Sequence, residues 1–246
     1  MKKKGGGCLK IVLIVIVVCV LLIIIASVAG SSDDKNESSS STTAQTESVS
    51  NDTSDSSEEQ APVTEHYEVD LSAGHYTAGI DIPAGTYNLT ATAGSGNVSS
   101  TNMYNGGLNE IMGTPADEFT QETFNNLQLP AGETLSLSGD VALHLVSEDA
   151  QTQNMTSRTV GAEVQTDLSA GNYVAGTDFP AGVYNIVSTG TSGNVSSDNM
   201  YDGGLNEIIG PGGDSFSVPQ VNNVSLPEGT TLTISGTSIQ LVPVGQ

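Results

Sequence analysis

The chain has 246 residues and a formal net charge of −22, with 28 Asp and Glu against 6 Lys and Arg, two cysteines and no tryptophan. Every carboxylate follows residue 30, where Lys35 and Arg158 are the sole bases, so that part carries 2 − 28 = −26. Neither base falls within residues 67–147 or 163–246, so those parts have no cations with which to displace counterions from a phosphate backbone, which excludes nucleic acid as a partner. With cysteines at positions 8 and 19 alone, the sequence also excludes disulfides from everything beyond.

In chain order, residues 1–10 form a Lys-rich tail with Lys2, Lys3, Lys4 and Lys10, and residues 11–29 are an uncharged run of Ile, Val and Leu. At 1.5 Å rise per residue that run matches the roughly 30 Å hydrocarbon thickness of a bilayer. The lysines on one flank and Asp33 and Asp34 on the other predict a single-pass membrane anchor, N-terminus cytoplasmic and C-terminal bulk extracellular. A cleaved signal peptide is the competing reading, because Ser27-Val28-Ala29 offers small residues to a peptidase; the apolar run exceeds the roughly 7–15 residues of a signal core, which favours the uncleaved anchor. Neither cysteine follows a lipobox, and cysteine-free export fits a bacterium with a single membrane.

Residues 30–66 are rich in Ser and Thr, with eight carboxylates and one lysine between residues 30 and 64. Too little apolar surface is present to offset the entropy of ordering, so a disordered acidic stalk is expected. A coil of about 35 residues spans roughly 30–35 Å, and like-charge repulsion extends it.

The remainder is one unit built twice. Aligning 70–113 on 167–210 at an offset of 97 gives 31 identities in 44 positions without a gap. The domain reading is module 1 at 67–147, a polar linker at 148–162 and module 2 at 163–246. Apolar residues alternate, as half-buried strands require: Tyr76, Ala78, Ile80 and Ile82; Tyr87, Leu89 and Ala91; Leu127 and Leu129; Leu135 and Leu137; Val141, Leu143 and Leu145. The last strand of module 2, around Ile239 and Leu241, slips by one residue against the first copy.

Pro-x-Gly punctuates the runs at Pro83-Ala84-Gly85, Pro130-Ala131-Gly132, Pro180-Ala181-Gly182 and Pro227-Glu228-Gly229, where proline presets a turn and glycine accepts the left-handed conformation. Asp81 and Asp178 can accept backbone N–H groups nearby. These signals predict an all-β fold, two tandem antiparallel β-sandwich or partly open barrel modules of six or seven strands each. At about 80 residues each module is marginal on its own. The copies either lean on one another or stand as independent beads.

Neither module contains Lys or Arg, so its carboxylates are expected at the surface, at turns or on a cation. The best-repeated stretch, Asn102-Met-Tyr-Asn-Gly-Gly-Leu-Asn-Glu110 and Asn199-Met-Tyr-Asp-Gly-Gly-Leu-Asn-Glu207, is the candidate ligand-binding site. Tyr104 and Tyr201 would be amphipathic contact surfaces, Asn102 and Asn199 belong to the same patch, and Asn109, Glu110, Asn206 and Glu207 would be polar hooks; aromatic plus amide groups suit sugars or peptides. The plainer expectation packs both tyrosines on the sheet edge, with Met103 and Met200 as core fillers. Calcium uses the same oxygen ligands, but the spacing matches no EF-hand loop, so neither a metal site nor a cofactor is expected.

For catalysis, His66, His75 and His144 have no counterparts in module 2, where His75 becomes Asn172, and no exported cysteine is available. No enzyme activity is expected.

Asp81-Ile-Pro-Ala-Gly-Thr-Tyr87 and Asp178-Phe-Pro-Ala-Gly-Val-Tyr184, with Gly-Gly-Leu-Asn-Glu-Ile and the Lys-rich Gly-Gly-Cys-Leu-Lys lead, resemble uncharacterised exported, membrane-anchored proteins of Gram-positive bacteria. The resemblance implies surface location and a β-rich ectodomain, and no activity. Taken together, a non-enzymatic protein displaying two modules for binding or adhesion at the cell envelope is expected, with cell-wall glycan or a protein as partner, since duplication raises effective concentration. A structural spacer without a ligand is the alternative.

Overall fold

The computed structural model describes residues 63–158, 163–212 and 216–245. The expected anchor and residues 30–62 of the expected stalk lie outside the described residues, among which no helix is long and apolar enough to cross a membrane.

Strands dominate, all but one adjacent pair antiparallel. The first repeat holds β1 (Glu65–Leu71), β2 (Gly74–Thr77), β3 (Gly85–Ala93), β4 (Ser95–Ser100), β5 (Asn109–Gly113), β6 (Thr123–Leu129), β7 (Thr134–Leu137) and β8 (Ala142–Ala150). The second holds β9 (Thr166–Leu168), β10 (Gly171–Val174), β11 (Gly182–Ser188), β12 (Gly193–Ser197), β13 (Asn206–Ile209), β14 (Gln220–Leu226), β15 (Thr231–Ser235) and β16 (Ile239–Pro243). Helical structure among the described residues is one 3-10 turn, Thr152–Asn154.

Eight strands per repeat replace the expected six or seven. The extra pairing lies in β4 and β5, whose Ser, Gly and Asn residues hide the alternation; Val98 is the one buried apolar side chain of β4.

In each repeat two four-stranded layers enclose one core. The first repeat sets β1-β8-β3-β6 against β5-β4-β7-β2, and the second sets β9-β16-β11-β14 against β10-β15-β12-β13. Leu89, Leu127, Leu129, Leu143 and Leu145 from one layer meet Tyr76, Val98, Met112, Leu135 and Leu137 from the other, all buried. Each such side chain contributes about 1.5–3 kcal/mol on burial. Tyr87, fully buried, donates its hydroxyl to the Pro83 carbonyl at 2.6 Å, and burial pushes its phenol pKa far above the usual value.

Local departures from the alternation have identifiable causes. The run through Tyr76, Ala78, Ile80 and Ile82 is not one strand: β2 stops at Thr77, and a turn closes with Asp81 N and Ile80 N on the Thr77 carbonyl. Asp81 and Asp178 hold these turns by accepting Thr77 N at 2.8 Å and Val174 N at 2.7 Å, as expected of them. Of the Pro-x-Gly turns, Gly132 and Gly229 are left-handed, whereas Gly85 and Gly182 begin β3 and β11, and at 85 a Cβ would meet Ser147 Oγ at 2.9 Å. The slip of β16 is taken up before the strand, so Ile239 and Leu241 pair with Ser188 and Ile186 and are fully buried.

The two repeats lean on each other. Strands β2 and β14 pair in parallel at Asn222 and Gly74, fusing one layer from each repeat into the eight-stranded sheet β5-β4-β7-β2-β14-β11-β16-β9. Ala73 from the first repeat is buried in the core of the second. Strand β8 continues through Glu148 to Ala150, and Gln151 N and Thr156 N donate to the carbonyls of Ala84 and Gly79. Arg158 then reaches back onto Asp81, with Nε on Oδ1 at 2.9 Å and Nη2 on Oδ2, both side chains largely buried. Carboxylates of module 1 were expected to lack an internal base; the one base beyond Lys35 comes from the connecting segment.

Candidate functional site: repeated turns and the groove between the repeats

The β4–β5 turn is built the same way twice. Leu108 N donates to Ser100 Oγ and Leu205 N to Ser197 Oγ, each at 3.0 Å. The Asn102 carbonyl accepts Asn105 N and Gly107 N, and the Asn199 carbonyl accepts Asp202 N and Gly204 N. Across to the other layer, Asn102 Nδ2 donates to the Gln128 carbonyl and Asn199 Nδ2 to the Ser225 carbonyl, both at 2.9 Å. Asn102 and Asn199 are therefore staples that pin the turn to β6 or β14. Glycine at 107 and 204 is required by close approach, since a Cβ would lie 2.1–2.2 Å from the serine hydroxyl.

The tyrosines stand out from these fixed turns: Tyr104 is 96% and Tyr201 93% exposed. The expectation that they pack on the sheet edge is overturned, and so is the core role of the methionines, for Met103 is exposed and Met200 half-buried outside both cores. The side chain of Asn102 staples this turn, so the backbone closes without help from the ring of Tyr104. Exposed apolar residues recur beyond the tyrosines. Ile111 and Ile208 on β5 and β13, and Phe119 and Phe216 in the following loops, stand at the same offset of 97 and are likewise exposed. Asp117 fixes the first of these loops by accepting Phe119 N and Thr120 N at 2.8 Å, which holds its carboxyl below the usual range.

The second turn also forms one wall of a groove between the repeats, of about 820 Å³. Its other wall is the outward side of β2, β4 and β7, where Thr77, Asn97, Ser99, Thr134 and Ser136 alternate with buried neighbours. Of the eight candidate residues the groove gathers Tyr201, Asn206 and Glu207; Tyr104, Asn109 and Glu110 lie elsewhere, with Glu110 accepting from Gln121 Nε2 at 3.4 Å. His75, Arg158 and the hydroxyl row also line the groove and are not among the candidate binding residues read from sequence. The signal for the hydroxyls was present, as the polar positions between Tyr76, Val98, Leu135 and Leu137.

Two titratable groups bridge the repeats here. His75 Nε2 lies 2.7 Å from the Gly204 carbonyl, so it carries the proton, and Nδ1 accepts from Ser136 Oγ at 2.8 Å. Burial, helped by the charge of Arg158, lowers its pKa and keeps the ring neutral. Glu207 accepts Gly139 N at 3.3 Å; burial raises its pKa, and that hydrogen bond opposes the rise in part. The Ser136–His75 pair lacks a carboxylate on the far nitrogen, which a carbonyl occupies instead. Among the described residues no group of three or more His, Cys, Asp or Glu could hold a metal ion.

No known protein family matches the chain, and neither does any curated protein. Among solved structures it is similar to a cupin 2 conserved barrel domain protein from Leptotrichia buccalis, at 9% identity and a TM-score of 0.19, covering 73% of this chain and 77% of that one. A likeness this weak carries no argument about fold or activity.

Proposed function

We propose that the protein is a non-enzymatic, membrane-anchored surface protein whose two β-sandwich modules bind a polymer of the cell envelope. The observation that carries this reading is the recurrence, at equivalent positions of both repeats, of large exposed apolar side chains: Tyr104 and Tyr201, Ile111 and Ile208, Phe119 and Phe216. Apolar groups scattered singly need no explanation, but the same set exposed at equivalent positions of both repeats is what a contact surface requires. The groove adds hydroxyl and amide groups beside Tyr201, a combination that suits neutral glycan or peptide. The charge of −26 on the exported part disfavours polyanions.

The test is retention of the full-length protein, solubilised in mild detergent, on purified cell-wall glycan and on delipidated envelope protein. Wild type is expected to be retained. Tyr104→Ala and Tyr201→Ala should each weaken retention, and the double variant should lose far more than either, as bivalent attachment requires. Equal failure of wild type and variants on every surface would overturn the reading in favour of a spacer. Hydrolase activity abolished by Ser136→Ala would overturn it in favour of an enzyme.

A further inference from the structure

We propose that the protein assembles head to tail with further copies of itself, the β10 edge of one copy docking on the β6 edge of the next as β2 docks on β14 within the chain. The internal contact joins non-equivalent edges of the two repeats. Strand β14 corresponds to β6 and β2 to β10, and among the described residues both counterparts remain at the ends of their sheets with no strand on the outer side. A contact between different surfaces of two like units does not pair the two remaining surfaces with each other; it leaves one unused half at each end.

The unused halves retain the groups of the used ones. In the internal contact Asn222 N donates to the Ala73 carbonyl at 2.9 Å, and Asn222 Nδ2 reaches the Ala73 carbonyl, Ser72 Oγ and Tyr76 OH at 3.0–3.2 Å. At the offset of 97 the same positions are Asn125 on β6 and Ser169, Ala170 and Tyr173 beside β10. Burial differs as an unmade contact demands: Ala73 is buried and Ala170 exposed, Asn222 half-buried and Asn125 exposed, Tyr76 buried and Tyr173 half-buried.

The two substitutions in the set, His75 to Asn172 and Ser136 to Thr233, preserve its chemistry. His75 accepts from Ser136 and donates to the Gly204 carbonyl. Its counterpart Asn172 accepts from Thr233 Oγ1 at 2.9 Å on Oδ1, which leaves the amide N–H groups to donate to the counterpart carbonyl of Gly107. Space is preserved as well. A Cβ on Gly74 would lie 2.6 Å from the Asn222 carbonyl oxygen, and glycine recurs at 171, where a Cβ meets nothing closer than the Tyr173 ring at 3.2 Å. A side chain at 171 is therefore tolerated by the free edge and forbidden in the docked one.

The experiment uses the full-length chain in mild detergent, with Cys8→Ser and Cys19→Ser to remove native thiols, at high ionic strength to screen the acidic surfaces. Asn125→Cys with Ser169→Cys places thiols at the counterparts of Asn222 and Ser72; Asn222→Cys with Ser72→Cys is the internal control. On oxidation the first pair is expected to give a ladder of dimers, trimers and higher species, and the control an internal bridge in the monomer. Adding Gly171→Ala should reduce the ladder at least tenfold. In sedimentation, the chain with its native cysteines should form oligomers that Gly171→Ala disperses. Monomers alone while the control bridges, a ladder indifferent to Gly171→Ala, or dimers from Asn125→Cys by itself, which mark a two-fold contact, would each overturn the proposal.

Discussion

The seam between the repeats gives the sharpest expectation for stability. Gly74 has a φ of 150°, outside the range that side chains favour, and a Cβ there would press on the backbone O and N of Asn222 at 2.6 and 2.9 Å. Because the obstructing atoms are main chain, Gly74→Ala cannot be relieved by a rotamer change. The seam must open, losing the Asn222 N hydrogen bond, worth about 1 kcal/mol net, and the Asn222 amide contacts, worth a further 1–2 kcal/mol or so. Backbone strain costs on the order of 1–2 kcal/mol. The expected destabilisation is about 3–5 kcal/mol, and at roughly 2–4 °C per kcal/mol the melting temperature falls by about 10 °C. Far-ultraviolet circular dichroism on heating measures this in a chain without tryptophan. Hydrogen exchange should show the Asn222 amide losing protection first. Melting within about 2 °C of wild type, with that amide still protected, would refute the reasoning that the seam is integral to the fold.

The bridging groups set the response to pH. His75 has a lowered pKa, so the unfolded state takes the proton first, and stability falls as pH drops through the ordinary histidine value of about 6.5 towards the folded one. His75→Asn, the residue at the counterpart position 172, should flatten that acid limb of the melting profile while leaving pH 8 nearly unchanged. Glu207 has a raised pKa, so its stabilising share is present below the ordinary carboxylate range and lost as pH rises through the folded value. Glu207→Gln should therefore raise the melting temperature at neutral pH and not at pH 4. Arg158→Ala strands the largely buried carboxylate of Asp81 and should cost about 3 kcal/mol, with Asp81→Asn restoring part of it in a double-mutant cycle. Tyr87→Phe orphans the Pro83 carbonyl and should cost about 1–2 kcal/mol by chemical denaturation.

Side-chain alternation carried most of the architecture. Tyr87, Leu89, Leu127, Leu129, Leu135, Leu137, Leu143 and Leu145 are buried because period two is geometric: a strand that turns one side chain inward turns the next outward. Ile80 broke the pattern because two residues earlier the chain had already entered a turn held by Asp81, a polar signal that an apolar count passes over. The left-handed Asn126 and Asn223, with φ of 59° and 55°, were hidden for a related reason. Their conformation is fixed by Asn88 and Asn185, which accept their N–H groups at 3.0–3.1 Å from 38 residues away, and no local motif encodes that.

The candidate site shows where reading by repeat reaches its limit. Two segments of near-identical sequence fold into near-identical turns, so both tyrosines are presented alike, yet Tyr201 lines the groove between the repeats whereas in the first turn Met103, and not Tyr104, does. The cause lies in the contact between the repeats: β2 joins β14, which brings the second turn over the outer side of the first repeat, while among the described residues the first turn has no equivalent neighbour. Glu110 and Glu207, both half-buried, diverge for the same reason, one accepting from Gln121 of its own repeat and the other from Gly139 N of the first repeat. Identical local sequence thus acquires two environments through a heterologous contact. Were further copies to dock in the same sense, Tyr104, Asn109 and Glu110 would gain the surroundings of Tyr201, Asn206 and Glu207, and each added copy would complete one more groove.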